Sequence, residues 1–284
     1  MICRKCGTRF SDGMFCPECG ASTMPAMGMV GEPQINTWEA ALEYSEEAGY
    51  NTKMYGPQGE LEEQRIGYEE IKIDVGGKKV FENKILLFER GKWDGNNITM
   101  RDNTKVEFRN CVISEKVRSG KYNSYKEPIG IYGENVSVGL IFENCLIKGN
   151  EKIVSGLDLS SLEMEFRNCA FDGGQMCKDS DPLVGEAKNV YFENCFFKER
   201  FIADGSKIKL RNCVIIKELD SLNLSSIDRN KLMYVGEEVV FENCFIRSKM
   251  KLVAYRGSGW EPEPMMIIKN SYFDDYSCIV KEER

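Results

Sequence analysis

The sequence predicts an all-β solenoid, a stack of coils around one shared core, preceded by a small metal-dependent unit. Two observations carry this. A short phrase, apolar–x–Asn–Cys, keeps returning: FENC at Phe142–Cys145, Phe192–Cys195 and Phe241–Cys244, FRNC at Phe108–Cys111 and Phe166–Cys169, LRNC at Leu210–Cys213, and IKNS at Ile268–Ser271. The first twenty residues also hold two Cys-x-x-Cys pairs, Cys3 with Cys6 and Cys16 with Cys19.

The bulk numbers leave room for both parts. A chain of 284 residues holds one large domain and a small one, and 42% hydrophobic with 29% charged residues is a globular balance. Apolar runs stay as short as Ile85–Phe88, far below the ~18 residues of a membrane span. A net charge of −7 argues against a broad nucleic-acid footprint, and Arg4, Lys5 and Arg9 alone make a weak one. The chain opens MICRKCG without a charged-then-apolar leader, so the expected location is a reducing cytoplasm. There the 12 cysteines serve as metal ligands or core thiols rather than disulfides. Histidine is absent, which removes imidazole bases, Ser-His-Asp triads and His-ligated metals.

In CRKCGTRFSDGMFCPECG each two-residue gap lets a turn present both thiolates to one ion, and two such turns close a tetrahedral shell. Gly7 and Gly20 follow the second cysteine of each pair and permit the tight turn beneath the sulfurs. Residues 1–21 resemble the short zinc ribbon at the N-terminus of many bacterial proteins. The expected cofactor is one structural Zn²⁺ held by Cys3, Cys6, Cys16 and Cys19, with no open position for a catalytic water. A redox Cys-x-x-Cys comes as one pair beside a βαβ pattern, which is missing here.

Residues 22–35, rich in Gly, Pro and Met without a period, read as a flexible linker. Residues 36–65 read as a capping helix and lead-in. Asn36 is the N-cap, Glu39 follows three residues on, and Gly49 terminates the helix. Trp38, Ala41, Leu42, Ser45 and Ala48 share one narrow face, which would cover the open end of a strand stack.

From residue 66 to 284 the asparagines at 110, 144, 168, 194, 212, 243 and 270 are separated by 18 to 34 residues. A tight motif on a loose period fits coils that share a core and differ in their loops. Ahead of each asparagine, apolar and polar residues alternate, as in VEF at Val106–Phe108 and MEF at Met164–Phe166, so these are strands with one buried face. Asparagine tolerates the left-handed backbone and can turn a corner, and asparagines stacked on one corner can bond as a ladder. Cysteine beyond the corner is a small apolar filler, where serine would set a hydroxyl in a dry interior. Gly133, Gly156, Gly185, Gly205, Gly236 and Gly257 recur between asparagines and suggest a second corner with φ > 0. Asn83, followed by Lys84 in place of cysteine, suggests an early, imperfect coil.

The shortest coil, Asn194 to Asn212, holds three short strands and three turns. Three strands per coil resembles the right-handed parallel β-helix of the pectate-lyase type, whereas a pentapeptide solenoid would need a strict five-residue period. The resemblance implies architecture and carries no catalytic motif. Enzymes of this shape work in a groove walled by long loops, with acidic clusters and Ca²⁺ or with paired carboxylates.

The longest insertions are Ser114–Glu127, Asp172–Asp181 and Lys217–Asn230. Beside them the residues preceding the glycines form a supposed column, Tyr132, Ser155, Val184, Asp204, Val235 and Arg256. Only Asp204 and Arg256 are ionic there, about 10 Å apart at two coils' separation, with no second carboxylate at working distance. Asp172, Asp179 and Asp181 read as a charged loop before a cation site. The corner cysteines read as inert core thiols before a redox wire. Cys177 and Cys278 lie outside the repeat, and Trp93 and Trp260 are loop aromatics able to touch a partner or a glycan. The expected function is therefore a non-enzymatic cytoplasmic binding or scaffold protein with an unknown protein partner and no membrane or broad nucleic-acid surface. The alternative is a carbohydrate-active lyase or hydrolase using Asp204 and Arg256.

Overall fold

The computed structural model describes residues 55–67, 70–89, 96–117, 129–131, 137–148, 153–156, 162–172, 187–198, 203–217, 231–248, 251–255 and 265–273. The expected zinc ribbon, linker and capping helix lie outside these residues. What is described is all-β, with parallel strands in three stacked sheets, compatible with a parallel β-helix. No helix occurs among the described residues, so none is long and apolar enough to cross a membrane.

The first sheet stacks nine strands in chain order: Glu62–Ile66, Lys84–Glu89, Val112–Val117, Leu146–Lys148, Ala170–Asp172, Phe196–Lys198, Val214–Lys217, Phe245–Ser248 and Tyr272–Phe273. The second stacks Ile71–Ile73, Ile98–Met100, Ile129–Ile131 and Val154–Gly156. The third runs through Lys78–Glu82, Thr104–Arg109, Val138–Glu143, Leu162–Arg167, Ala187–Glu193, Ala203–Arg211 and Lys231–Glu242. It ends with Lys251–Tyr255 and Met265–Lys269 side by side on the two halves of the preceding strand.

The alternation in the sequence becomes the inside and outside of each strand. Val138, Leu140 and Phe142 are buried while Gly139, Ile141 and Glu143 are not, and Leu162–Arg167 repeats the pattern. Inward side chains stack by type. The rings of Phe81, Phe108, Phe142, Phe166 and Phe192 lie 4.6–5.2 Å apart and nearly parallel, and Phe171 stacks on Phe197 at 4.5 Å. Edge contacts from Phe171 and Phe197 to Phe166 and Phe192 join the two stacks into one core.

Between the third and first sheets, Asn83, Asn110, Asn144, Asn168, Asn194, Asn212, Asn243 and Asn270 all have φ of 47–54°. This is the left-handed conformation expected of a corner asparagine. Each of the first seven donates its backbone N–H to the carbonyl just before the next asparagine, at 2.8–3.0 Å. The side chains form the ladder: Nδ2 of Asn110, Asn194, Asn212 and Asn243 donates to Oδ1 of Asn83, Asn168, Asn194 and Asn212 respectively, at 2.7–3.1 Å. Asn83 is thus a full corner, and Lys84 beside it pairs with Glu62. Gln58 closes the Asn110 amide by donating to Oδ1 at 2.7 Å and accepting from Nδ2 at 2.8 Å.

The glycine corner is different from expectation. Gly205 and Gly236 sit inside long strands and have no positive φ, whereas Gly76 and Asn103 do, with φ of 75° and 56°. A Cβ on Gly205 would lie 3.0 Å from the Ala187 carbonyl oxygen, so close approach rather than backbone handedness accounts for this glycine.

Candidate functional site

The outer face of the third sheet is where the described chain gathers its chemistry, and register places its side chains in rows along the stack. The row next to the asparagine corner holds the x of each repeated phrase. It reads Glu82, Arg109, Glu143, Arg167, Glu193, Arg211, Glu242, Lys269, with each residue directly beside the next. The charge alternates at every coil, so each of the six inner groups has opposite charges above and below it. Arg211 Nη1 lies 3.4 Å from Glu193 Oε1. Glu165 on its own strand, and then Glu193 and Glu143, hold the Arg167 guanidinium more firmly protonated than usual. This row was visible in the sequence, but reading each x alone as a spacer hides it. Comparing the phrases column by column reveals it.

The middle row contains Glu107, whose carboxylate is only 5% exposed and lies within 2.7 Å of Lys78 Nζ, 3.1 Å of Lys105 Nζ and 2.7 Å of Arg109 Nη2. The hydrogen bond from Lys78 leads in holding its pKa down to about 2, against the cost of its burial. Other carboxylates are matched in the same way. Glu165 accepts from Arg167 Nε at 2.9 Å, Glu237 lies 3.3 Å from Lys207, and Glu242 lies 3.8 Å from Lys209. Lys209 also rides over the Tyr191 ring at 5.7 Å.

Gly139, without a side chain, leaves a trough of about 620 Å³ lined by Lys105, Ile141, Glu163, Asn189 and Tyr191 among others. Asn189 Nδ2 donates to Glu163 Oε1 at 3.2 Å across its floor. The trough presents mixed polarity on an open face.

The supposed catalytic column is not a row. Register sets Asp204 beside Tyr234 and Tyr234 beside Ala254, and it sets Gly205 beside Val235. Val235 is fully buried in the core rather than facing a groove. Between Gly205 and Lys207 the register slips by one residue, which is why counting from the glycines misaligned the coils. Ser155 lies beside Gly130 instead of Tyr132. Arg256, Tyr132 and Val184 lie outside the described residues, as do Asp179, Asp181, Cys177, Cys278, Trp93, Trp260 and the four N-terminal cysteines.

The inner cysteines Cys111, Cys145, Cys169, Cys195, Cys213 and Cys244 are buried and free. Each Sγ reaches two carbonyl oxygens, as Cys145 does with Phe108 and Glu143 at 3.3 Å. Burial is the largest influence on Cys145, Cys195 and Cys244 and pushes their thiols up. Burial also leads at Cys169 and Cys213, opposed there by thiols donating from both neighbours. Among the described residues the core holds no cation to balance a thiolate, so the column is a set of neutral thiols. Among the described residues no group of three or more Cys, Asp or Glu is placed to hold a metal ion.

No family model matches the chain, and no curated protein and no solved structure matches it.

Proposed function

We propose that this chain is a non-enzymatic binding protein, a rigid right-handed parallel β-helical rod of the pectate-lyase shape without its catalysis. On this reading the N-terminal ribbon, with zinc on Cys3, Cys6, Cys16 and Cys19, is tethered to the rod and the whole acts as a cytoplasmic scaffold for a protein partner. The observation that supports it is the fate of the carboxylates on the third face. A general acid needs a raised pKa and a general base needs a free lone pair aimed at substrate. Glu107 is instead held at about 2 by Lys78 and then Lys105, and Glu165, Glu193 and Glu242 are each spent on an arginine or lysine. Ordered, neutralised charge suits recognition better than proton transfer.

Two measurements test this reading. Uronic-acid and neutral polysaccharides, with and without Ca²⁺, are expected to yield neither unsaturated nor reducing-end product. Product lost in the Asp204→Ala, Arg256→Ala double variant would replace the binding reading with the lyase or hydrolase one. Metal analysis is expected to find one zinc per chain, lost with residues 1–21. Zinc retained without them would move the metal to the core cysteines.

A further inference from the structure

We propose that the partner of the third face is a second copy of this chain, with the two rods antiparallel and face to face. This assignment rests on reading that face as a binding surface. The row Glu82, Arg109, Glu143, Arg167, Glu193, Arg211, Glu242, Lys269 has eight alternating charges and so ends on opposite signs. A two-fold axis lying between the faces and along the strands reverses the order of coils while keeping each row opposite itself. Glu82 then faces Lys269, Arg109 faces Glu242, Glu143 faces Arg211 and Arg167 faces Glu193, each pair occurring twice.

Neighbouring rows agree with the same axis. Lys105 faces Glu238, and the exposed Val80 faces Ile267. No facing pair in these rows sets two charges of one sign together. The alternatives fail on the same residues. Parallel rods reverse the order of the rows across the face and so set Arg109 against Lys105, Arg211 against Lys207 and Glu242 against Glu238. A slip by one coil sets Glu against Glu and Arg against Arg along its length. The pattern therefore selects both direction and register, because each wrong arrangement is repulsive. Rows spanning about 15 Å and coils spanning about 35 Å give roughly 500 Å² per copy, or about 1,000 Å² in all, the lower limit for a specific interface. A reversible, salt-sensitive dimer is what such an area and such charges make.

The full chain, followed by sedimentation velocity, is expected to dimerise reversibly, with a Kd at least about tenfold weaker in 500 mM than in 50 mM NaCl. Carbodiimide coupling at low salt should join Lys105 to Glu238. Within one rod these residues are five coils, about 24 Å, apart, so only a second copy brings them together. Arg167→Glu and Glu193→Arg should each weaken self-association about a hundredfold, since each faces a like charge twice. Mixed one to one, they should form a heterodimer, because both facing pairs are then restored. Two variants that stay monomeric when mixed would overturn the proposal, as would wild-type dimers lacking the Lys105–Glu238 link. Should either variant fail to fold, the wild-type link decides alone. A monomer that turns over no polysaccharide sinks the pairing and leaves the binding reading standing, whereas a monomer that does turn it over sinks both.

Discussion

The asparagine corner and the opposite side of the stack are built by different means. At the corner the six coils from Phe108 to Cys244 repeat the same parts: a buried phenylalanine or leucine, an outward charge, a left-handed asparagine and a buried cysteine. The backbone hydrogen bonds between coils continue through the turn. Leu146, Ala170, Phe196, Val214 and Phe245 each donate an N–H to the cysteine carbonyl of the preceding coil at 2.8–2.9 Å. On the opposite side nothing repeats so closely. The early coils turn at Gly76 and Asn103, while Ala203–Arg211 and Lys231–Glu242 run on as single long strands with a register slip between them. A solenoid needs only one invariant edge to hold its register, and the other side is then free to vary.

The largest expected effect comes from the core behind that edge. Phe166 lies between Phe142 at 4.6 Å and Phe192 at 4.9 Å and is fully buried. Phe166→Ala should cost about 3–5 kcal/mol, read from denaturant unfolding, since the stacked rings above and below cannot close the cavity. A loss below about 1 kcal/mol would mean that the corner is not backed by a packed stack.

Next comes the corner itself. Asn194 donates to Asn168 and accepts from Asn212, both at 3.1 Å, with φ of 50°. Asn194→Ala should cost roughly 1–3 kcal/mol, by stranding two amides and by strain at positive φ. Asn194→Gly removes the amide but keeps the backbone relaxed, so it should cost less than alanine. Equal losses in the two variants would assign the whole effect to the ladder.

The same contrast explains what was legible. The Phe, Asn and Cys positions could be read because each has one local job that its residue type announces. Asn83 was harder, since Lys84 replaces the expected cysteine while the turn is intact. The alternating row escaped because its meaning lies between coils, where no single phrase contains it. Gly205 misled because glycine marks close approach as well as positive φ, and the slip between Gly205 and Lys207 adds a residue that no composition signal reveals. Asp204 was consequently set against Val235, a buried core residue, when its neighbour is Tyr234.

A smaller effect, and one that depends on pH, tests the outer face beside the corner. Glu107 is charged down to about pH 2 in the fold, against an ordinary 4.5, with Lys78 the leading cause. Its folded pKa is depressed, so its stabilising contribution is complete above pH 4.5 and lost as pH falls toward 2. Glu107→Gln should therefore melt below wild type at pH 7, and the gap should narrow from pH 4.5 downward. A gap independent of pH would mean that Glu107 acts through packing rather than through its three cations.

The smallest effect is expected at Cys195, where the last coil corrects a simple expectation. A hydroxyl buried without a partner costs roughly 1–3 kcal/mol, which would make Cys195→Ser clearly harmful. At the equivalent position of the final described corner, however, Ser271 is already buried. Its Oγ donates to the Lys269 carbonyl at 2.9 Å and accepts the Cys244 N–H at 3.0 Å. The carbonyl two residues back is the same acceptor that the thiols use, as Cys195 Sγ does with Glu193 at 3.4 Å. A serine at 195 has that acceptor in place, so its hydroxyl is not stranded. Cys195→Ser should cost about 1 kcal/mol or less, a fall of roughly 2–4 °C in Tm. Cys195→Ala, which loses the sulfur's packing and gains no hydrogen bond, should melt at or below it. A serine variant melting well below the alanine one would mean that the hydroxyl finds no acceptor inside the stack, and that Ser271 is tolerated only because it stands at the last corner.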